Sequence, residues 1–170
     1  MSSASARVWT LSIEQRDKLI HAAFEAKEHS YSPYSKFPVG AALLAADGTV
    51  FKGANIENAS YGGTICAERT ALVKAVSDGT KSFIALAVTT NVASAISPCG
   101  FCRQFIREFC AQDMPILLVP GDYNMTEEGI KETRMRGSSE VKGRVYSACC
   151  IRRLKCIIRN GQTYDSQRDS

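Results

Sequence analysis

The sequence predicts an α/β domain in which a mixed sheet lies between helices. Apolar runs of strand length alternate with amphipathic helical stretches, their order reads α-β-β-α-β-α-β, and strand-helix-strand crossovers fill the second half. At 170 residues, 45% of them hydrophobic, the chain has the size of one ordinary globular domain and can bury a sizeable core.

The first helix is signalled by Leu11-Ser12-Ile13-Glu14-Gln15, where Ser12 can cap and Gln15 can reach back in a capping box. Leu19, Ile20, Ala23 and Phe24 follow at helical spacing, and the helix is expected to end near His29, before Pro33. Val39 to Ala46 and Thr49 to Ile56 are strand-like runs joined by Asp47-Gly48, which reads as a hairpin through a tight turn. Gly62 and Gly63 break the pattern before a second helix, about Cys66 to Ser77, with Ala71, Leu72, Ala75 and Val76 on one face and Gly79 as its stop. Phe83 to Thr90 reads as a buried strand. A third helix starts after Pro98, carries Phe101, Phe105, Ile106 and Phe109, and ends near Ala111; Ile116 to Val119 is a short apolar strand.

Charge and cysteine usage narrow the function classes. Met1 to Tyr123 holds 11 basic and 11 acidic residues, so the net +4 belongs wholly to Asn124–Ser170, with 10 basic and 6 acidic. A balanced body is a poor nucleic-acid groove and leaves the tail as the one basic candidate. No stretch approaches the ~20 consecutive apolar residues of a membrane span, and Met1 to Arg7 lacks the apolar core of a leader. Seven cysteines in that setting point to a reducing, cytoplasmic compartment, where thiols bind metal or do chemistry. Two histidines, His21 and His29, are too few for a histidine-based metal site and read as ordinary helix residues.

Two cysteine groups open the second and third helices: Cys66-Ala67-Glu68 and Pro98-Cys99-Gly100-Phe101-Cys102. Thiolate is the ligand form, and the positive end of a helix lowers a thiol pKa. Cys99 and Cys102 can grip one zinc ion at about 2.3 Å each while Cys66 supplies a third sulfur. Three protein ligands leave a tetrahedral zinc one open position, which water can take and in which its pKa falls toward neutrality. Three thiolates also put a net negative charge on the site, so compensation is needed, and Arg69 is the nearest cation in sequence to donate to a ligand sulfur. Glu68 is placed to shuttle protons among water, a ring nitrogen and a departing amine. A non-ligand Glu beside one ligand, with a proline-preceded cysteine pair, resembles the zinc nucleobase deaminases. The alternative is a structural four-cysteine site completed by Cys110 or a tail cysteine; Cys149, Cys150 and Cys156 read more simply as free thiols.

Four stretches resemble the small homotetrameric cytidine deaminases of pyrimidine salvage: Phe37-Pro38-Val39-Gly40-Ala41-Ala42, Asn55-Ile56-Glu57-Asn58-Ala59, Cys66-Ala67-Glu68-Arg69-Thr70-Ala71, and Ser97-Pro98-Cys99-Gly100-x-Cys102-Arg103-Gln104. The likeness runs from about Leu11 to Tyr123. It implies a three-layer α/β/α fold and hydrolysis of cytidine or deoxycytidine to uridine or deoxyuridine plus ammonia. It implies one Zn2+ per subunit on Cys66, Cys99 and Cys102, with Glu68 as proton shuttle. By the same resemblance the Ala67 amide contacts the pyrimidine carbonyl and Phe37 lines the base pocket. Asn55 and Glu57 hold ribose hydroxyls, while Ala59 and Tyr61 reach a neighbouring subunit's site in a homotetramer. Taken alone, Asn55 and Glu57 are two apart on a strand and face one side, and a carboxylate accepts two hydroxyl hydrogens. They would equally pass as a polar strand end, and Phe37 as a core aromatic.

The resemblance stops at Tyr123. Asp122-Tyr123-Asn124-Met125-Thr126 can begin the family's further strand, but Glu127 onward leaves the pattern and the family's aromatic-bearing ending is not found, so Asn124–Ser170 is expected to be a divergent tail, largely disordered or loosely packed. Residues 1–10 read as an N-terminal extension and 11–123 as the catalytic domain. Three other functions fit parts of the sequence. A blasticidin-type deaminase would share the metal site but has less use for Asn55 and Glu57. A non-catalytic zinc module could bind RNA through Arg152, Arg153, Lys155 and Arg159, although no aromatic ladder accompanies them. Deamination of polynucleotides fits least, because those enzymes commonly place histidine where Cys66 stands.

Overall fold

The computed structural model describes residues 11–123 and 144–147. The expected N-terminal extension, the three tail cysteines and the basic tail residues lie outside the described residues.

Helix α1, Ile13–Lys27, begins with the expected capping box: Gln15 N donates to Ser12 Oγ over 3.1 Å and Ser12 N donates to Gln15 Oε1 over 3.0 Å. Strands β1, Val39–Ala45, and β2, Val50–Ala54, form the expected antiparallel hairpin. In its connection, residues 46–49, Gly48 N bonds Ala45 O, Ala45 N bonds Thr49 O, and Gly48 takes φ 88°, a conformation that favours glycine. Helix α2 spans Ala67–Ser77, strand β3 Phe83–Thr90, helix α3 Gly100–Phe109 and strand β4 Pro115–Val119.

A fifth strand, β5 at Arg144–Ser147, pairs antiparallel with β4, Ile116 opposite Tyr146 and Leu118 opposite Arg144. This corrects the expectation of an unstructured tail for these four residues: the apolar β4 needs a backbone partner on its outer side, and the late chain supplies one. The sheet order is β2-β1-β3-β4-β5, with β3 and β4 parallel and the other neighbours antiparallel.

Alternation along the strands sends side chains to two separate cores. Ala42, Leu44, Ala85, Ala87, Leu117 and Val119 face Leu19, Ile20 and Ala23 of α1. Ala41, Leu43, Leu86, Val88, Ile116 and Leu118 face Ala71, Leu72 and Ala75 of α2 and Ile106 of α3. One helix on one face and two on the other make the three-layer α/β/α arrangement. None of the described helices is long and apolar enough to cross a membrane.

The topology gathers one end of the sheet. Val39 lies opposite Thr90, Gly40 opposite Ala54, and Thr89 opposite Val119, so the start of β1 and the ends of β2, β3 and β4 share an edge. The segments leading to the starts of α2 and α3 leave from this edge, which places both cysteine groups there.

Candidate active site

Cys66 is the N-cap of α2 and Cys99 the N-cap of α3, while Cys102 sits in the first turn of α3 and is fully buried. The Cys66 and Cys99 sulfurs are 3.7 Å apart and those of Cys99 and Cys102 3.5 Å. Two ligands at 2.3 Å on a tetrahedral zinc stand about 3.8 Å from each other, and all three sulfurs lie within 4.8 Å of one another, so the group can close on one ion. No disulfide joins these thiols. Among the described residues no other group of metal-ligating side chains comes together. Cys110 caps the far end of α3 inside the core, away from the three grouped thiols, so it is not a fourth ligand, and burial pushes its thiol up to about 12. The four-cysteine reading through Cys110 is thereby overturned; His21 and His29 are likewise absent from the cluster.

The charges in the cluster are uneven. Cys66 is brought down to about 5, chiefly by its hydrogen bond with Cys102 and then by Arg69 and Cys99. Cys102 keeps its proton, held up by that same bond to the Cys66 thiolate and by burial. Arg69 Nη2 donates to Cys66 Sγ over 3.7 Å and to Thr64 O over 3.1 Å, and its guanidinium carbon lies 5.6 Å from the Phe101 ring centroid. Glu68, in the first turn of α2, is 5% exposed. Burial raises its pKa, and the Cys66 thiolate adds to the rise. Ala67, also buried, belongs to the first helix amides, which have no acceptor within the helix.

Asn55 and Glu57 follow β2 on an extended segment held by Ile56, which bridges Tyr31 and Ile65. Both side chains reach the loop Ser30–Pro38. Asn55 Oδ1 accepts from Val39 N at 2.8 Å and from Ser30 Oγ, and its Nδ2 donates to Phe37 O at 2.9 Å. Glu57 Oε2 accepts from Tyr34 N at 2.9 Å and Ser35 N at 3.1 Å, and Oε1 accepts from Ser35 Oγ. These bonds, Ser35 foremost, hold the Glu57 carboxyl below its ordinary value. Of the roughly four acceptor positions of a carboxylate, three are taken inside the chain, and Asn55 retains one free N–H. The two-hydroxyl capacity read from sequence is corrected: the pair has one acceptor and one donor to offer.

Phe37 is 37% exposed beside these residues. Ala59 and Tyr61 stand on the surface, Tyr61 77% exposed and edge-on to Tyr34 with ring centroids 6.3 Å apart. The sequence reasoning missed Ser35 and Phe101. Tyr34-Ser35-Lys36-Phe37 carried a signal in its serine two residues before an aromatic, a short turn-forming pattern. Phe101 carried one as an aromatic between two ligands, and it is 74% exposed.

Comparison with known proteins agrees with this geometry. Residues 13–118 match the family model described as the cytidine and deoxycytidylate deaminase zinc-binding region. A cytidine deaminase of Sporosarcina psychrophila is 57% identical over 112 residues, covering 65% of this chain and 82% of that protein. One from Halalkalibacterium halodurans is 53% identical, over 61% of this chain and 78% of that protein. The crystal structure of a cytidine deaminase from Burkholderia pseudomallei superposes with a TM-score of 0.64 at 41% identity, covering 79% of this chain and 93% of that one. A family match over more than half the chain, together with these relatives, establishes that the chain belongs to the cytidine and deoxycytidylate deaminase zinc-binding family.

Proposed function

We propose that the protein hydrolyses cytidine or deoxycytidine to the uridine product and ammonia, with one Zn2+ held by Cys66, Cys99 and Cys102. The observation that carries this reading is three sulfurs within 4.8 Å of one another beside a buried Glu68 that is not one of the group. Zinc on these sulfurs supplies the Lewis acidity that makes hydroxide available near neutral pH.

The chain's own residues do the rest. Glu68 takes a proton from the attacking water and gives it to the ring nitrogen, then takes the remaining proton of the added hydroxyl and delivers it to the departing amine. Its raised pKa brings it nearer the range in which one carboxyl can serve as both base and acid. Arg69 offsets the charge of the thiolates through Cys66. The Ala67 amide meets the pyrimidine carbonyl and Phe37 lies against the base. Asn55 offers one donor and Glu57 one acceptor, which together suit a sugar hydroxyl acting in both senses. That pair favours a nucleoside over a blasticidin-type substrate.

A homotetramer with shared sites is part of this proposal. Tyr31, Tyr34 and Tyr61 leave a large aromatic surface exposed on a single chain, near the loop that carries Phe37, and an adjoining subunit would cover it. A cytoplasmic location accords with free thiols at Cys66, Cys99, Cys102 and Cys110.

The test is turnover followed at the cytosine ultraviolet band for cytidine, deoxycytidine and blasticidin S, with zinc quantified in parent and Glu68→Ala. Zinc retained and turnover lost in the variant is the expected result; no turnover of any substrate by the zinc-loaded parent would overturn the reading. Sedimentation tests the tetramer. Restored activity on mixing inactive Glu68→Ala and Tyr61→Ala subunits tests the sharing of sites.

A further inference from the structure

The loop that carries Phe37 is fixed by polar side chains rather than by packing. Phe37 has both backbone groups occupied: its carbonyl accepts from Asn55 Nδ2 at 2.9 Å and its amide donates to Ser35 Oγ at 3.1 Å. The Ser35 hydroxyl in turn donates to Glu57 Oε1, and the Ser35 amide donates to Glu57 Oε2. Between Ser35 and Phe37 stands Lys36 at φ 55°, left-handed without being glycine, a conformation that persists only where neighbours hold it. Ser35, Lys36 and Phe37 are all exposed, so the turn rests on hydrogen bonds: Lys36 N to Ser32 O at 3.0 Å, and those made by Ser35.

We infer that Ser35 is the positioning residue joining the two walls of the substrate pocket, orienting the Glu57 carboxylate through its hydroxyl proton and the Phe37 backbone through its hydroxyl oxygen. This deepens the reading given under Proposed function and rests on it. Without the hydroxyl, Oε1 loses the one protein donor that fixes its remaining lone pair, and the carboxylate can turn about the bonds that Tyr34 N and Ser35 N make to Oε2. At the same time Phe37 N loses its acceptor, and the strained turn at Lys36 loses one of its restraints. Both effects fall on recognition of the bound nucleoside. Neither touches Cys66, Cys99, Cys102 or Glu68, so the chemical step is left alone.

The experiment is steady-state kinetics of the zinc-loaded Ser35→Ala, Ser35→Thr and Glu57→Gln enzymes, and of the Ser35→Ala/Glu57→Gln pair, with cytidine and with 2′,3′-dideoxycytidine. In Ser35→Ala, KM for cytidine is expected to rise roughly tenfold while kcat stays within about twofold. Dideoxycytidine, which lacks the 2′- and 3′-hydroxyls and keeps only the 5′-hydroxyl, should show a smaller rise if Glu57 accepts from a ring hydroxyl of the sugar. Ser35→Thr, which keeps the hydroxyl, should restore most of the affinity, and the double variant should lose less than the two single effects combined. Melting curves verify that each variant is folded. A raised KM in Glu57→Gln beside an unchanged KM in Ser35→Ala would overturn the role of Ser35 and leave the substrate reading intact. Equal rises for both substrates would do the same. An unchanged KM in Glu57→Gln would bring down the sugar-binding reading and this inference with it.

Discussion

Arg69 Nη2 lies 3.7 Å from Cys66 Sγ, reaching from the second residue after Ala67 back over the N-terminus of its own helix. The same guanidinium faces Phe101 of α3, so one side chain ties together the two helix starts that carry the ligands. Partners of this kind change metal affinity by about 10- to 100-fold. Arg69→Gln is therefore expected to release zinc to a chelator about tenfold faster than the parent, with Phe101→Leu giving a smaller effect of the same sign. Equal release rates in parent and Arg69→Gln would refute the role.

Glu68→Gln keeps the shape and the burial of the side chain and removes its ability to carry a proton. Zinc content should be unchanged, and kcat should fall by about 10²- to 10⁴-fold. Metal lost together with activity would mean instead that the carboxylate holds the site together.

Loading the metal-free protein should release protons. Near pH 7 Cys66, at about 5, is already ionised, whereas Cys102 keeps its proton and must shed it to become a ligand. Calorimetry in buffers of different ionisation enthalpy should register about one proton or more per zinc bound, and affinity should rise with pH. The Cys66 thiol also links pH to stability of the metal-free chain. Its pKa falls from 9.0 to about 5 on folding, so its contribution is complete above pH 9.0 and is lost as pH falls through about 5. The melting temperature of the parent relative to Cys66→Ser should shrink over that window as the solution is acidified.

Gly53 of β2 lets the first turn of α2 lie directly on the sheet. A Cβ there would stand 2.4 Å from Ala67 O and 2.4 Å from Ala71 N, both backbone atoms that cannot swing aside. Gly53→Ala should push α2 outward, cost about 1–3 kcal/mol in stability, and lower zinc content, since Cys66 and Glu68 travel with that turn. Gly62→Ala, with nothing within 4 Å and no left-handed backbone, is the control expected to melt like the parent.

Much of this was legible in the sequence. Ser12 and Gln15 announced the start of α1, and the apolar run from Phe83 to Thr90 matched β3, because caps and buried strands leave periodic or local marks. The three sulfurs were legible because helix starts and a two-residue spacing restrict where thiols can point. The loop around Ser35 was not, since hydrogen bonds between side chains and irregular backbone follow no period. The internal bonds of Glu57 were invisible for the same reason, and its free capacity was overstated as a result. β5 was missed because Val141 to Ile158 mixes cysteines and basic residues without alternation, and its pairing depends on what β4 leaves open rather than on its own pattern.

The lateral seam between Pro115–Val119 and Arg144–Ser147 gives the later chain a duty independent of chemistry. A protein cut after Tyr123 would keep every candidate catalytic side chain and yet bare a ladder of amide and carbonyl groups along an apolar strand, the kind of rim that recruits foreign strands. Such a fragment is expected to self-associate more readily than the 170-residue chain, and light scattering of the two at matched concentration checks it.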